Sequence, residues 1–287
     1  MFHINEIQAA IPRLQLVHEG VSTAELAPSR GGMATSLVVG GEEVMFLDQE
    51  SFADTSRNVR GGNPVLFPSP GKLVDDQWQR DGRSGSMKQH GFARTSAWRV
   101  IARETDGCAA VTLGLDSSGA TLRDYPWDFR ARYRYVLRGA RLRIEMSFEN
   151  TGDAVMPFGA GFHPYFFVPQ DEKAGTTIAT AATRGFDNVA RKPIEFDGFD
   201  LTRKEVDMFL LDHGSSKSTL SRPGSQRTVV VEGSDEFSHW VVWTLEGRDF
   251  VCLEPWTCPG DALNTGDRLI HLPPGERHDL WLEIGAE

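Results

Sequence analysis

Cysteine is scarce in this chain: 287 residues hold only Cys108, Cys252 and Cys258. None stands in a CxxC pair and none has the spacing of zinc ligands. A disulfide framework is therefore not expected, and reduced, packed thiols in a cytoplasmic protein are. Cys252 and Cys258 flank Glu254, which leaves a reactive thiol there as a second reading. No stretch approaches the roughly 18 apolar residues of a membrane span. The N-terminus has no basic region followed by an apolar run, so a soluble, unexported, cytoplasmic protein is expected. Positive charge is short as well. Thirty Lys and Arg against forty Asp and Glu give a net charge of −10, which argues against a nucleic-acid binder. An anionic small molecule stays possible, because a local arginine cluster can dominate a pocket. There is no internal repeat, no low-complexity tract and no composition break that marks a linker. Residues 1–287 therefore read as one domain, large enough to need no disulfide or metal staple.

What is abundant is alternation. Phe129, Ala131, Tyr133, Tyr135 and Leu137 alternate with Arg130, Arg132, Arg134 and Arg138. After Gly139 the pattern resumes with Leu142, Ile144, Met146 and Phe148 against Arg143, Glu145, Ser147 and Glu149. A period of two predicts a long amphipathic hairpin with one buried face. Shorter hairpins are predicted around Gly40-Gly41 (Leu37–Val39 with Val44–Leu47), around Asp106-Gly107 (Trp98–Ile101 with Ala110–Leu113), and around Gly233-Ser234-Asp235 (Thr228–Val231 with Trp240–Thr244). No long window has a 3.6-residue period. One short helix is expected over Asn5–Ile11, ending before Pro12. Many strands and few helices give an all-β antiparallel sandwich or barrel. The segment from Ser51 to Gln89 is long, polar and rich in Gly and Pro, and a connection of that kind is usually functional. A second irregular stretch runs from Ala182 to Asp200.

Two short segments carry the chemistry. Gly161-Phe162-His163-Pro164-Tyr165-Phe166 and Leu253-Glu254-Pro255-Trp256 each set one proton-transfer group among aromatics and prolines. Proline fixes φ and stiffens the backbone that carries each group. A histidine and a carboxylate held this way can act as an acid–base pair, and the aromatic faces suit the apolar faces of a sugar ring. The bland alternative makes His163 a core histidine and Glu254 a surface carboxylate. A zinc site from His90, His163 and Glu254 is a further reading, but these residues lack HxH or HExxH spacing, so no metal and no cofactor is assigned.

A third segment, Lys88-Gln89-His90-Gly91-Phe92-Ala93-Arg94, and a fourth, Arg60-Gly61-Gly62-Asn63-Pro64-Val65-Leu66-Phe67-Pro68, complete a series. In this order and spacing, from about Gly32 to about Leu282, the chain resembles the aldose 1-epimerase (galactose mutarotase-like) superfamily, nearest its hexose-6-phosphate mutarotase-like branch. The resemblance implies a large β-supersandwich. It also implies a mutarotase that interconverts the α and β anomers of an aldose or a hexose 6-phosphate. Glu254 would take the C1 hydroxyl proton and His163 would protonate the ring oxygen. His90 would bind sugar oxygens, with Gly91 allowing close backbone approach. Arg94 would hold a substrate oxygen, buttress Glu254 or Asp207, or form a structural salt bridge. Arg60 would bind an anion, Asp207 would accept from sugar hydroxyls with Asp212 as its rival, and Trp256 would stack on the sugar. Arg80, Arg83 and Lys88 are weaker anion-binding candidates. The Arg-Gly-Gly-Asn-Pro of this chain replaces the branch's Arg-Gly-Gly-Ile-Pro, which leaves the substrate between free and phosphorylated sugars. A small-molecule partner is implied, with no nucleic acid and no membrane, in a monomer or weak homodimer. The competing readings are a non-catalytic carbohydrate-binding sandwich and a glycoside hydrolase or lyase that uses Glu254 with Asp207 or Asp261.

Overall fold

The structure, a computed structural model, describes residues 1–287. It is built around two eight-stranded sheets and one five-stranded sheet. The 129–149 alternation does form a hairpin: Phe129–Arg138 pairs with Arg141–Asn150, and the strict in–out burial along both strands follows the predicted period. This hairpin is the centre of the first eight-stranded sheet, which runs Thr177–Ala179, Lys217–Ser221, Thr228–Gly233, Arg277–Ala286, Arg141–Asn150, Phe129–Arg138, Ala109–Asp116, Arg99–Glu104. Its wet face is laced with cross-strand ion pairs such as Arg130–Glu149 and Arg134–Glu145. Exposed pairs of this kind contribute only about 0–1 kcal/mol each. The buried face is what fixes the sheet.

The second eight-stranded sheet carries the features that matter below. Its order is Lys192–Glu195, Arg184–Asp187, Glu205–Leu210, His239–Leu245, Phe250–Trp256, Gly161–Phe162, Val65–Leu66, with Tyr165–Phe167 also paired to Phe250–Trp256. The five-stranded sheet is a meander from Phe2 to Glu43. One apolar cluster of 57 buried residues draws on all three sheets, so they share a core.

The core has a hub. Phe67 is fully buried and its ring meets those of Phe92, Tyr125, Phe129, Phe148 and Phe158 at centroid distances of 5.1–6.3 Å. Phe67 directly precedes Pro68 in the long connection, so the connection is nailed to the first sheet by aromatic packing.

Three local expectations need correction. Asn5–Ile11 is not a helix: Phe2–Ile7 is a strand paired with Arg13–His18. Seven residues cannot bury a helical face of their own, and the sheet edge satisfies the backbone instead. Val44–Leu47 is not the return arm of a hairpin. The return is only Glu42–Glu43, after which the chain peels away to bridge Met45 to Phe166 and Leu47 to Gly61. The Glu43 carboxylate accepts from the Leu37 and Met45 backbone N–H groups, which ends the ladder. The third predicted hairpin is also wrong. Thr228–Gly233 and His239–Leu245 lie in different sheets. Between them Phe237 is fully buried, so this connection crosses the core instead of turning back on itself. The long connection 51–89 carries regular structure and lines the cavity described below. It holds the end of the helix Gln49–Ala53, the strand Val65–Leu66 and the hairpin Gln77–Arg80/Arg83–Ser86. The hairpin predicted at Asp106-Gly107 is present, as Arg99–Glu104 with Ala109–Asp116.

Phe67→Ala is expected to lower stability by about 3–5 kcal/mol, the usual cost of deleting a packed aromatic core ring. Urea unfolding of the two proteins checks this. A loss under about 1 kcal/mol would show that Phe67 is not the hub described.

Candidate active site

The site follows from strand register. In the antiparallel pairing, Gly161 lies opposite Trp256 and Tyr165 lies opposite Cys252. Two residues on from the first pair and two short of the second, His163 must face Glu254. The ladder lacks a bond there because Pro164 has no N–H, and the His163 N–H, on the strand's other side, donates to the Pro64 carbonyl at 3.1 Å. His163 Nε2 and Glu254 Oε1 are 3.3 Å apart. The two residues brought forward by the sequence are therefore direct cross-strand neighbours.

The same period of two builds the walls. Glu205, Asp207 and Phe209 on one strand, Val241 and Trp243 on the next, and Glu254 and Trp256 on the third all line one cavity of about 520 Å³. Their alternates Val206, Met208, Leu210, Trp240, Val242, Val251 and Leu253 point the other way, into the shared core. One face of the sheet is core and the other is site. Every residue of Phe250–Trp256 is buried as a result.

All seven sequence candidates line this cavity: Arg60, His90, Arg94, His163, Asp207, Glu254 and Trp256. His90 sits at φ +70°, and its ring is fixed by Gly71. The His90 N–H donates to the Gly71 carbonyl at 2.7 Å, and His90 Nδ1 accepts from the Gly71 N–H at 3.0 Å. That acceptor role places the proton of a neutral ring on Nε2. Gly91, at φ +73°, lies against the Phe67 carbonyl, and a side chain there would overlap it. Arg94 makes no ion pair. Its Nη2 donates to the Gln89 carbonyl at 2.7 Å, and its buried Nε has no partner. Asp207 accepts from Asn188 Nδ2 at 2.8 Å. Its rival Asp212 is outside the cavity, where it accepts from Thr183 and Arg184. Trp256 is 3% exposed and edge-on to His90 at 5.4 Å, so it forms a wall of the cavity rather than an open platform.

The weaker cationic candidates are spent elsewhere. Arg80 contacts His271, Arg83 lies over Trp127 and bonds the Pro126 carbonyl, and Lys88 pairs with Asp76. Lys72, which the sequence reading passed over, lines the cavity with Arg60, and neither side chain has an ion-pair partner. Lys72 follows the Gly71 that fixes His90, a link visible only once the two segments meet. Tyr165, Asn188, Glu205 and Trp243 were also missed. Tyr165 stacks on His163 at 4.8 Å, and Trp243 Nε1 donates to Glu205 Oε1 at 3.1 Å. Arg30 had no signal at all. Its buried guanidinium donates to the carbonyls of Ser51, Phe52, Asp54 and Arg57 and shapes the turn that leads to Arg60.

Electrostatics in the cavity are set by burial. Burial, with Arg94 nearby, pushes the His163 imidazole down to about 3. Burial and the Asp207 carboxylate push Glu254 well above the ordinary carboxylate range, against the opposing pull of the Trp256 N–H and Arg94. His90 is also driven well below its usual value by burial, by His163 and by Arg94. Burial raises Asp207 too. Burial thus disfavours the charged form of each partner, and their two titrations belong to the pair. The three thiols are buried and unpaired. Burial raises both Cys252 and Cys258, so neither has the lowered pKa of a reactive cysteine. As for metal ligands, His90 Nδ1 is committed to Gly71. The donor atoms that do cluster belong to His163, Cys252 and Glu254, all within 4.8 Å of one another.

The same antiparallel β-sandwich is found in solved structures. That of a galactose mutarotase-like protein from Clostridium acetobutylicum superposes with a TM-score of 0.85 at 18% identity, covering 100% of this chain and 98% of the other. The Slr1438 protein of Synechocystis sp. PCC 6803 superposes with a TM-score of 0.91 at 35% identity, covering 99% and 96%. A Cenchrus ciliaris protein provisionally named glucose-6-phosphate 1-epimerase is 26% identical over 271 residues, 86% of this chain and 76% of that one. The fold is the galactose mutarotase-like sandwich. The aldose 1-epimerase family profile matches residues 13–285, and the chain belongs to that family. It is accordingly an isomerase of the sugar epimerase and mutarotase class.

In the free protein the His163 ring is expected to stay neutral from pH 8 down to pH 5, because its protonation is pushed down to about 3. Nitrogen-15 NMR of the imidazole reads this directly. A His163 midpoint near the ordinary histidine value of about 6.5 would contradict the buried geometry.

Proposed function

We propose that this chain interconverts the α and β anomers of an aldose, with Glu254 as base and His163 as acid. The observation that carries the reading is the 3.3 Å opposition of these two groups in the cavity floor. Opening a cyclic hemiacetal takes a proton from the C1 hydroxyl and delivers one to the ring oxygen. These two atoms share a carbon, so donor and acceptor must sit side by side. The chemistry needs one proton on the pair. With it on the imidazole, the carboxylate is free to accept from the sugar. Moving it from Glu254 to His163 leaves the net charge of the pair at zero, so no new net charge is buried. After rotation about C1–C2 the ring closes on the other face with the two roles exchanged.

His90 Nε2, Arg94 and Asp207 then hold sugar oxygens, and Trp256 forms one wall. Asp261 does not support a hydrolase reading. Its carboxylate accepts from the Val74 N–H and Asn264 Nδ2, and it is absent from the cavity lining. Residues 1–287 act as one domain in this proposal, as their shared core suggests. A sugar phosphorylated at C6 is the favoured substrate, because Arg60 and Lys72 present two unpaired cations beside the cavity. Guanidinium and ammonium groups without protein partners suit a phosphate dianion.

Glu254→Gln and His163→Asn are each expected to lower kcat about 10²–10⁴-fold, the usual contribution of one positioned acid or base. Polarimetric anomer exchange on glucose 6-phosphate, glucose and galactose would measure it. Wild-type rates in either variant would sink the assignment. In the same assay Arg60→Ala should raise KM for the phosphorylated sugar about 10- to 100-fold and leave free sugars unchanged, as for loss of a charge-assisted hydrogen bond. Equal effects on both substrate types would remove the phosphate preference.

A further inference from the structure

We infer that the cavity floor is an inhibitory site for one soft divalent cation, bound by His163, Cys252 and Glu254. Cys252 and Glu254 are two residues apart on the strand Phe250–Trp256 and so project from the same face. His163 faces Glu254 across the strand interruption, and Tyr165, two residues on, lies opposite Cys252. An imidazole, a thiol and a carboxylate are thus brought together, with their donor atoms all within 4.8 Å of one another. Zinc bonds of about 2.0–2.3 Å to N, O and S set tetrahedral ligand-to-ligand edges of roughly 3.4 Å. The His163–Glu254 edge is already 3.3 Å. Only the thiol has to close in, by roughly 1 Å on the same geometry.

An independent observation points the same way. Glu254 is 1% exposed, yet its Oε2 has no hydrogen-bond partner. Buried polar atoms without partners are uncommon in folded proteins and mark a place where something binds. The donor set is mixed N, S and O, which suits zinc or cadmium rather than magnesium or calcium. The balance is simple. The cation displaces the Cys252 thiol proton and whatever proton His163 or Glu254 holds. Those protons leave to solvent, a dication arrives, and no electron moves. The fourth coordination position faces the cavity and takes water or a sugar hydroxyl. With both proton-transfer groups held by the cation, ring opening stops.

The test uses cadmium chloride and zinc chloride on the full chain in chelator-free, thiol-free buffer. Cadmium titration is followed by the ultraviolet absorption of cadmium–thiolate charge transfer. The expected result is a band that saturates at one cadmium per chain, persists in Cys108→Ala and Cys258→Ala, and vanishes in Cys252→Ala. Glu254→Gln, which keeps the thiol, should weaken cadmium binding at least tenfold. Zinc should abolish anomer exchange reversibly, and Cys252→Ala should need at least tenfold more zinc. Absence of the band in wild type, or its persistence in Cys252→Ala, overturns the site. The absorption readout does not depend on turnover. A saturating band in a protein that fails to exchange anomers would sink the mutarotase reading and leave the cation site standing.

Discussion

Everything in the site depends on one broken rung of a β-ladder. Beside Glu254 the ladder lacks one bond, because Pro164 has no N–H to give, while the pairing keeps its register on either side. The gap lets an imidazole stand beside a carboxylate at the distance of a proton transfer, with intact pairs on either side to hold it. Neither group sits on a mobile loop. The backbone that positions them is the middle of an eight-stranded sheet, and the precision of the pair comes from hydrogen bonds that were needed for folding in any case.

Burial then sets the chemistry. In the cavity floor desolvation disfavours the charged form of both the imidazole and the carboxylate. Arg94 and Asp207 bias that pair from opposite sides. Arg94 opposes the rise of Glu254 and Asp207 promotes it, and neither is consumed by an ion pair of its own. Arg94 Nε, His163 Nδ1, Glu254 Oε2 and Trp256 Nε1 have no partners and belong to residues that line this cavity. They have no structural task, which is why they are available to a ligand.

Much of this could be read from the residues. The long hairpin announced itself because one face is apolar and the other charged. The chemistry-bearing segments announced themselves because histidine and glutamate among aromatics and prolines are unusual company. What stayed hidden has a common cause. The strand Phe250–Trp256 is buried on both faces, so its period of two is masked, and nothing in it says which side is core and which is cavity. Thr228–Gly233 and His239–Leu245 look like hairpin arms because a turn signal lies between them, and only the buried Phe237 reveals a crossing. Lys72, Asn188 and Glu205 reach the site through long-range contacts that local patterns do not encode. Arg30 acts on carbonyl groups, which carry no trace of side-chain identity.

The sheet and the connections divide the labour. His163 and Glu254 come from paired strands, whereas Arg60, Lys72, His90 and Arg94 line the cavity from the connection between Arg60 and Arg94. That connection is pinned at Phe67 and Arg30, and its exposed cations bear no packing burden. Substitutions there can redraw what the mouth admits while the reacting floor and the core stay as they are. Such an arrangement makes substrate preference easy to diversify and the reaction itself hard to lose, so chains of this architecture can part in diet long before they part in chemistry.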